Sequence, residues 1–286
     1  MTGIVMPTRL RLVHLFPDVL RFYGDGGNVD TLVARAAARS IELTVIPVPI
    51  DATTIPPADI VLVGGGQDAE QVTVALALER LGRQLTDLVA EGTALLAVCG
   101  GYQNLGRRYR TSSGTELPCP GLLPVSTDGV GAVSRLVGPV VARLSAELPV
   151  GAAGTVVGFE NHRGRTTLDP GARAFATIEI GHGNDDRDGT EGVLLLPGEG
   201  GLRGLRIGTY LHGPLLPRNP HIADAVLAAA VAQGAGFAEL APIDDRLDWR
   251  AHDHAVERIR HSARDGRGIP GRVRRAMNPV RSLIGY

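Results

Sequence analysis

Hydrophobic and polar positions follow two alternating periods over the first hundred residues. Leu10-Arg-Leu-Val-His-Leu15 and the run from Leu43 to Val48 read as strands. Ile60 to Val63, bounded by Asp59 and the triple glycine Gly64-Gly-Gly66, is continuously apolar, and so is Thr93 to Val98. Continuous apolar runs of this length are what strands buried on both faces require. Between the strands, Val29, Leu32, Val33 and Ala36 recur at helical spacing, as do Leu78, Leu81, Leu85 and Leu88. Asn28 is placed to cap the first of these helices, and Tyr102 to Tyr109 predicts a third. Strands alternating with helices imply an α/β fold with a mostly parallel sheet and helices on both faces.

From about Thr111 to Gly204 the pattern changes. Short β-like runs (Val137–Ala142, Thr155–Phe159, Phe175–Ile180 and Val193–Leu196) alternate with glycine-rich turns, predicting antiparallel or mixed strands appended to the parallel sheet. Arg206 to His212 is a further strand running into a loop, and Asn219-Pro220 opens a helix carrying Ile222, Val226 and Ala229. The expected organisation is one domain over residues 9–235, then an arginine-rich extension over 240–286. That extension is read as partly helical near Trp249, Val256 and Ile259 and otherwise loose.

Composition narrows the chemistry. The 286 residues carry a formal net charge of −1, so no global field draws in nucleic acid. All 29 lysine-plus-arginine positions are arginine. Schiff-base chemistry, pyridoxal phosphate attachment and a Walker-A lysine are thereby excluded from this chain. Neither a secretory leader pattern nor an apolar run of membrane-spanning length is visible, so a reduced, cytoplasmic protein is expected. There each of the two cysteines, Cys99 and Cys119, is a small core residue or a reactive thiol.

Cys99 follows a buried strand and precedes Gly100-Gly101 and a helix. A nucleophile on such a turn stands at the carboxyl edge of the sheet, where small neighbours admit the strained backbone and the substrate. A buried core cysteine is the commoner fate after an apolar strand, but the paired glycines reverse that preference. Cys119, in Pro118-Cys-Pro120, has no such setting and reads as structural. A thiolate attacking an amide needs an oxyanion hole and a base. The amides of Gly65 or Gly66, with that of Gly100, are candidates for the first, although a triple glycine alone is more often a flexible turn. For the base, His212 ends a strand and is followed by Gly213-Pro214; His162, in Gly158-Phe-Glu-Asn-His162, is the second candidate, and spacing does not choose between them. His14 falls within a strand, and His252 and His254 lie on different helix faces. Asn184-Asp-Asp-Arg-Asp188-Gly189 begins like a calcium loop, but its bidentate glutamate position is Leu195, so a polar turn is expected.

Taken together, Cys99-Gly-Gly-Tyr-Gln103, the Gly64–Gly66 loop and Thr209-Tyr-Leu-His212-Gly213 resemble class I glutamine amidotransferases of the cobyric acid synthase type. Tyr23-Gly-Asp-Gly-Gly-Asn28, Gly158–His162 and Tyr210–Pro217 are similar, more closely, to the glutamine-hydrolysing subunits of lipid II isoglutaminyl synthases. The resemblance covers about residues 9–235. It implies that Cys99 attacks the glutamine amide to give a γ-glutamyl thioester, with His212 as general base and acid and Gly65, Gly66 and Gly100 around the oxyanion. It further implies that Arg135, in Ser134-Arg-Leu-Val-Gly138, binds the glutamine carboxylate and that Gln103 lines the pocket. A solvated hairpin arginine is the alternative reading of Arg135.

Two positions depart from the family pattern. Ala97 stands where the elbow usually has glycine, and Pro214 stands where many class I members carry a glutamate beside the histidine. Either a Cys–His dyad suffices or a partner supplies a carboxylate across the interface. The resemblance implies a heterodimer with a MurT-like Mur-ligase subunit that binds ATP and magnesium and receives ammonia. No cofactor is then needed in this chain, and lipid II is reached through the partner at the inner face of the membrane. The arginine-rich tail has three readings: it docks the partner, approaches anionic lipid, or is merely solvated. The alternatives are a subunit feeding a cobalamin-type or other synthetase, and a catalytically silent binding module of the same fold.

Overall fold

A computed structural model describes residues 8–20, 24–66, 70–132, 134–149, 154–197, 201–235 and 239–265. Tyr23 of the first loop motif, and the tail beyond Asp265 with five of the ten arginines of the 240–286 extension, lie outside the described residues.

The first half runs β1 (Arg9–Leu15), α1 (Gly26–Ala37), β2 (Glu42–Val48), β3 (Ile60–Val63), α2 (Gln71–Ala90), β4 (Ala94–Val98) and α3 (Gly100–Asn104). The middle supplies β5 (Arg108–Arg110), β6 (Glu116–Leu117), β7 (Val125–Asp128), β8 (Leu136–Leu144), β9 (Thr155–His162), β10 (Arg165–Leu168), β11 (Ala176–Ile180) and β12 (Thr190–Glu191). The chain closes with β13 (Val193–Leu195), β14 (Arg206–Thr209), α4 (Leu215–Arg218), α5 (Pro220–Ala235) and α6 (Arg246–Arg264).

The central sheet has the order β13-β14-β4-β3-β1-β2, parallel throughout except for β13. Every residue of β3 and β4 is buried, as their unbroken apolar runs require. Helices α1, α4 and α5 pack together, and α2 packs with α3. Pairing of Val63 with Ala97 and of Thr209 with Val98 ends β3, β4 and β14 at one level. The loops that follow these strands therefore emerge side by side at the carboxyl edge, where open α/β sheets place their sites.

The α/β expectation holds, with a refinement in the middle segment. Apart from β13, its strands form two sheets of their own, β10-β7-β5-β6 and β12-β11-β8-β9. A backbone pair helps to tie the second to the central sheet. Phe159 of β9 and His212 exchange backbone hydrogen bonds of 3.2 and 2.8 Å.

Two local expectations change. The helix predicted over Tyr102–Tyr109 is the single turn α3, because Leu123 N–H bonds to Leu105 and Arg107 N–H to Val125, drawing the chain into β5. Asn28 lies inside α1 rather than at its cap; Asp25 holds the cap position, and the Asn28 side chain accepts from Leu216 N–H at 2.8 Å. The acidic stretch near Asp185 folds as a turn in which Asp185 accepts from the amides of Arg187 and Asp188, at 2.8 and 3.0 Å.

Trp249, Val256 and Ile259 lie on α6, whose Val256 and Ile259 pack against Val141, Val157 and Ile180. Arg35, its side chain only 5% exposed, holds this helix to α1 and α5. Its guanidinium meets Asp224 through two bonds of 2.7 Å, Asp245 at 2.9 Å and Asp248 at 2.9 Å. Arg39 also meets Asp224, at 2.8 Å, but removing Arg35 takes the guanidinium from Asp245 and Asp248 and frees the α6 end, so Arg35→Ala is expected to lower the unfolding free energy by about 3 kcal/mol. Urea denaturation checks this, and an unchanged midpoint would show that the cluster holds nothing.

Candidate active site

β4 ends at Val98 and α3 begins at Gly100, leaving Cys99 alone to make the turn. It does so at φ 48° and ψ −101°, a conformation that L side chains rarely adopt. Strain of this kind costs about 1–3 kcal/mol and persists only where surroundings over-determine it. Here Cys99 N–H donates to Thr209 O at 2.8 Å, Gln103 N–H to Cys99 O at 3.0 Å, and Gly101 N–H to Gly64 O at 3.1 Å. The thiol sits at the surface of the core, 5% exposed. Cys119 is unlike it: burial pushes that thiol up to about 11, against a backbone hydrogen bond at Tyr109, and it packs beside Ala75, Tyr109 and Leu117.

His212 is fully buried, and Cys99 and Asp25 are the groups that act on its imidazole. Burial opposes its protonation, but the adjacent thiolate of Cys99 and the carboxylate of Asp25 outweigh it and push the imidazole up to about 10. Asp25 Oδ1 lies 3.7 Å from His212 Nδ1, an ion-pair distance rather than a tight hydrogen bond. Asp25 is itself fully buried, and its Oδ2 accepts from Gly65 N–H at 2.7 Å. The expectation that either a bare Cys–His dyad suffices or a partner supplies the carboxylate is therefore corrected: Asp25 of this chain lies at ion-pair distance from His212.

Close backbone approach makes the juxtaposition possible. A Cβ on Gly65 would fall 2.6 Å from His212 Cε1, and one on Gly27 would fall 2.7 Å from Pro214 Cγ. The glycines of the Gly24-Asp-Gly-Gly27 loop let it pack on Pro214, two residues past the histidine. The loop seated on Pro214 is the one that brings the Asp25 carboxylate to His212.

The other candidate residues separate. The amide of Gly65 is committed to Asp25, which leaves Gly66 and Gly100 as the paired donors; a Cβ on Gly100 would lie 3.1 Å from Gly66 N. Gln71 reaches the same place, its side chain accepting from Asn104, which also donates to Gly100 O at 2.8 Å. His162 is engaged elsewhere. It stacks on Tyr210 at 3.5 Å between ring centroids, bonds Gly164 O through Nδ1 at 2.9 Å, and is held below the usual histidine range by burial. Gln103 is buried and turns its amide to the Tyr210 hydroxyl at 3.1 Å. Arg135 is anchored on Asn161, at 2.8 Å to Oδ1 and 3.0 Å to the carbonyl. Asn161 lies two residues along β9 from Phe159, the partner of His212, which is ~7 Å of strand.

Asp25, Gln71, Asn104 and Tyr210 did not emerge from sequence reasoning as site residues. For Asp25 a signal existed, since Gly24-Asp25-Gly26-Gly27 follows the first strand of an α/β pattern, where loops of the carboxyl edge fall. Reading that loop only for helix capping missed it.

A histidine held charged to about 10 stabilises the fold fully below its ordinary 6.5, and that contribution is lost as pH rises through about 10. His212 is expected to titrate by nitrogen-detected NMR near the upper value, and Cys99→Ala to bring the midpoint down. A midpoint near 6.5 in the unsubstituted protein would contradict the ion pair.

Residues 11–220 match the CobB/CobQ-like glutamine amidotransferase domain. The chain is 35% identical over 250 residues to the lipid II isoglutaminyl synthase (glutamine-hydrolyzing) subunit GatD of Staphylococcus aureus (strain N315), covering 87% of this chain and 96% of that protein. It is 30% identical over 231 residues to the GatD subunit of Streptococcus pneumoniae (strain ATCC BAA-255 / R6), covering 80% and 84%. A solved glutamine amidotransferase superposes with a TM-score of 0.50 at 16% identity, over 77% of this chain and 98% of that one, a likeness of fold. The strained cysteine, the buried histidine and the glycine loop thus sit in a chain that belongs to the CobB/CobQ-like glutamine amidotransferase family, alongside the GatD subunits.

Proposed function

We propose that this chain hydrolyses L-glutamine to glutamate and ammonia through Cys99 and His212, and that the ammonia serves a ligase subunit. The observation that carries the reading is the Cys99–His212–Asp25 alignment on the loops that leave β4, β14 and β1. The thiolate of Cys99 adds to the amide carbonyl, and the N–H groups of Gly66 and Gly100 take up the charge that develops on oxygen. The His212 imidazolium protonates the leaving nitrogen as the C–N bond breaks, giving ammonia and a γ-glutamyl thioester. The neutral imidazole then removes a proton from water, which attacks the thioester and releases glutamate, and the thiolate–imidazolium pair is restored. Asp25 acts through His212 and not on substrate, so it is a positioning residue. Arg135 offers a planar fork for the glutamine α-carboxylate, and Gln103 buttresses the pocket through Tyr210.

The GatD relatives are by name subunits of a glutamine-hydrolysing lipid II isoglutaminyl synthase, and the proposal goes further than those names. A MurT-like Mur-ligase partner, holding ATP and magnesium, would activate the D-glutamate carboxyl of lipid II and use the ammonia to make D-isoglutamine. The absence of lysine fits an ATP step on another polypeptide. No helix among the described residues is long and apolar enough to cross a membrane, so lipid II would be met through the partner, at the cytoplasmic face.

The test is glutaminase activity of the purified complex with its co-purifying ligase subunit. Cys99→Ala is expected to lower kcat by about 1,000-fold or more, and Arg135→Ala to raise KM about tenfold with a smaller effect on kcat. Activity that survives Cys99→Ala would remove the mechanism. A partner that is not Mur-ligase-like would redirect the ammonia to another synthetase.

A further inference from the structure

Beneath Cys99 and His212 lies a buried carboxyl that the hydrolytic steps do not use. Glu191 ends β12 and is fully buried. Its Oε1 accepts from the Thr209 hydroxyl at 2.6 Å and from Tyr210 N–H at 2.9 Å. Its Oε2 makes no hydrogen bond among the described residues. Glu160 of β9, Tyr102 of α3 and His212 are the ionisable groups that act on it or feel its charge. Burial pushes the carboxyl up to about 7, against the two hydrogen bonds to Oε1. A half-satisfied acid in a dry site is expensive, and its retention points to what it holds.

What it holds is the link between nucleophile and base. The Thr209 hydroxyl that donates to Glu191 also accepts from Leu211 N–H at 3.1 Å, and the Thr209 carbonyl accepts from Cys99 N–H at 2.8 Å. One carboxyl oxygen therefore pins Thr209, Tyr210 and Leu211, the three residues leading into His212, and the first of them also pins Cys99. The clamp has a firm base: Gly192, next to Glu191, exchanges two 3.0 Å hydrogen bonds with the Asn184 side chain.

We propose that Glu191 is a positioning residue for the reaction, fixing the end of β14 so that the thiol of Cys99 and the ring of His212 keep their spacing. This rests on the reading of Cys99 and His212 as the hydrolytic pair. The test uses the full chain in complex with its ligase subunit and compares Glu191→Ala, Glu191→Gln and Thr209→Val, each in a Cys119→Ser background. Glutamine kcat and KM are measured, together with the rate at which iodoacetamide alkylates Cys99. Loss of the clamp is expected to lower kcat about tenfold or more in Glu191→Ala, with KM within about twofold, because misplacement falls on the chemistry and not on binding. Alkylation slows with it. Glu191→Gln keeps an Oε1 that accepts both bonds and is expected to recover to within about threefold of the unsubstituted complex, with Thr209→Val between the two.

The proposal is overturned if Glu191→Ala keeps kcat within twofold, acts through KM alone, or is not rescued by glutamine. Should Glu191→Ala fail to fold, an unchanged kcat in Thr209→Val overturns it equally. A complex whose Cys99 alkylates but which turns over no glutamine defeats the hydrolytic reading instead, and the alkylation rates then decide the role of Glu191.

Discussion

The pairing of β4 with β14 is the constraint from which the site follows. Parallel register brings Val98 level with Thr209, so that one hydrogen bond, from Cys99 N–H to Thr209 O, ties the turn of Cys99 to the strand that leads into His212. On the other side β4 pairs with β3, which delivers the glycine loop at the same level. Three loops far apart in sequence thereby meet at one edge, carried by strands of which β3 and β4 are apolar and buried at every residue. Rigid strands hold a catalytic group to a fraction of an ångström, which loops alone do not.

Electrostatics at this edge is organised around one buried imidazole. In a dry site a charged histidine is unfavourable by itself, and it becomes favourable because a thiolate and a carboxylate flank it. Asp25 belongs to the loop leaving β1, and the same carboxylate binds the amide of Gly65. A single side chain thus lies against His212 and holds the neighbouring glycine loop. In the proposed mechanism the amide of Gly66 is the one left to meet the oxyanion.

The second layer of the molecule supports this edge from outside. β9 bonds to His212 through Phe159 and carries Asn161, the anchor of Arg135. It is braced in turn by α6, whose apolar face packs on β8 and β9 and whose acidic end meets Arg35. A helix beyond the catalytic fold in sequence is therefore joined to it mechanically. This gives the described part of the C-terminal extension a structural role whatever partner it meets.

How much of this was legible in the chain follows from which interactions are local. Periodicity alone disclosed β1, β3, β4 and α2, because a strand buried on both faces must be apolar throughout and an amphipathic helix must repeat its stripe. Cys99 stood out because a strained strand-to-helix turn demands glycine beside it, which is also a local requirement. The choice between His212 and His162 was not local. Both end β-like runs near glycine, and only packing shows one against Cys99 and the other stacked on Tyr210. Asn28 and the length of α3 were misread for the same reason, since bonds to Leu216 and to Val125 compete with the helix from far along the chain. Asp25 was the deepest omission, because a carboxylate's role depends on what lies across the gap. Local sequence determined the strands, the helices and the nucleophile; long-range backbone pairing and the packing of Gly27 on Pro214 decided which histidine and which acid would serve it.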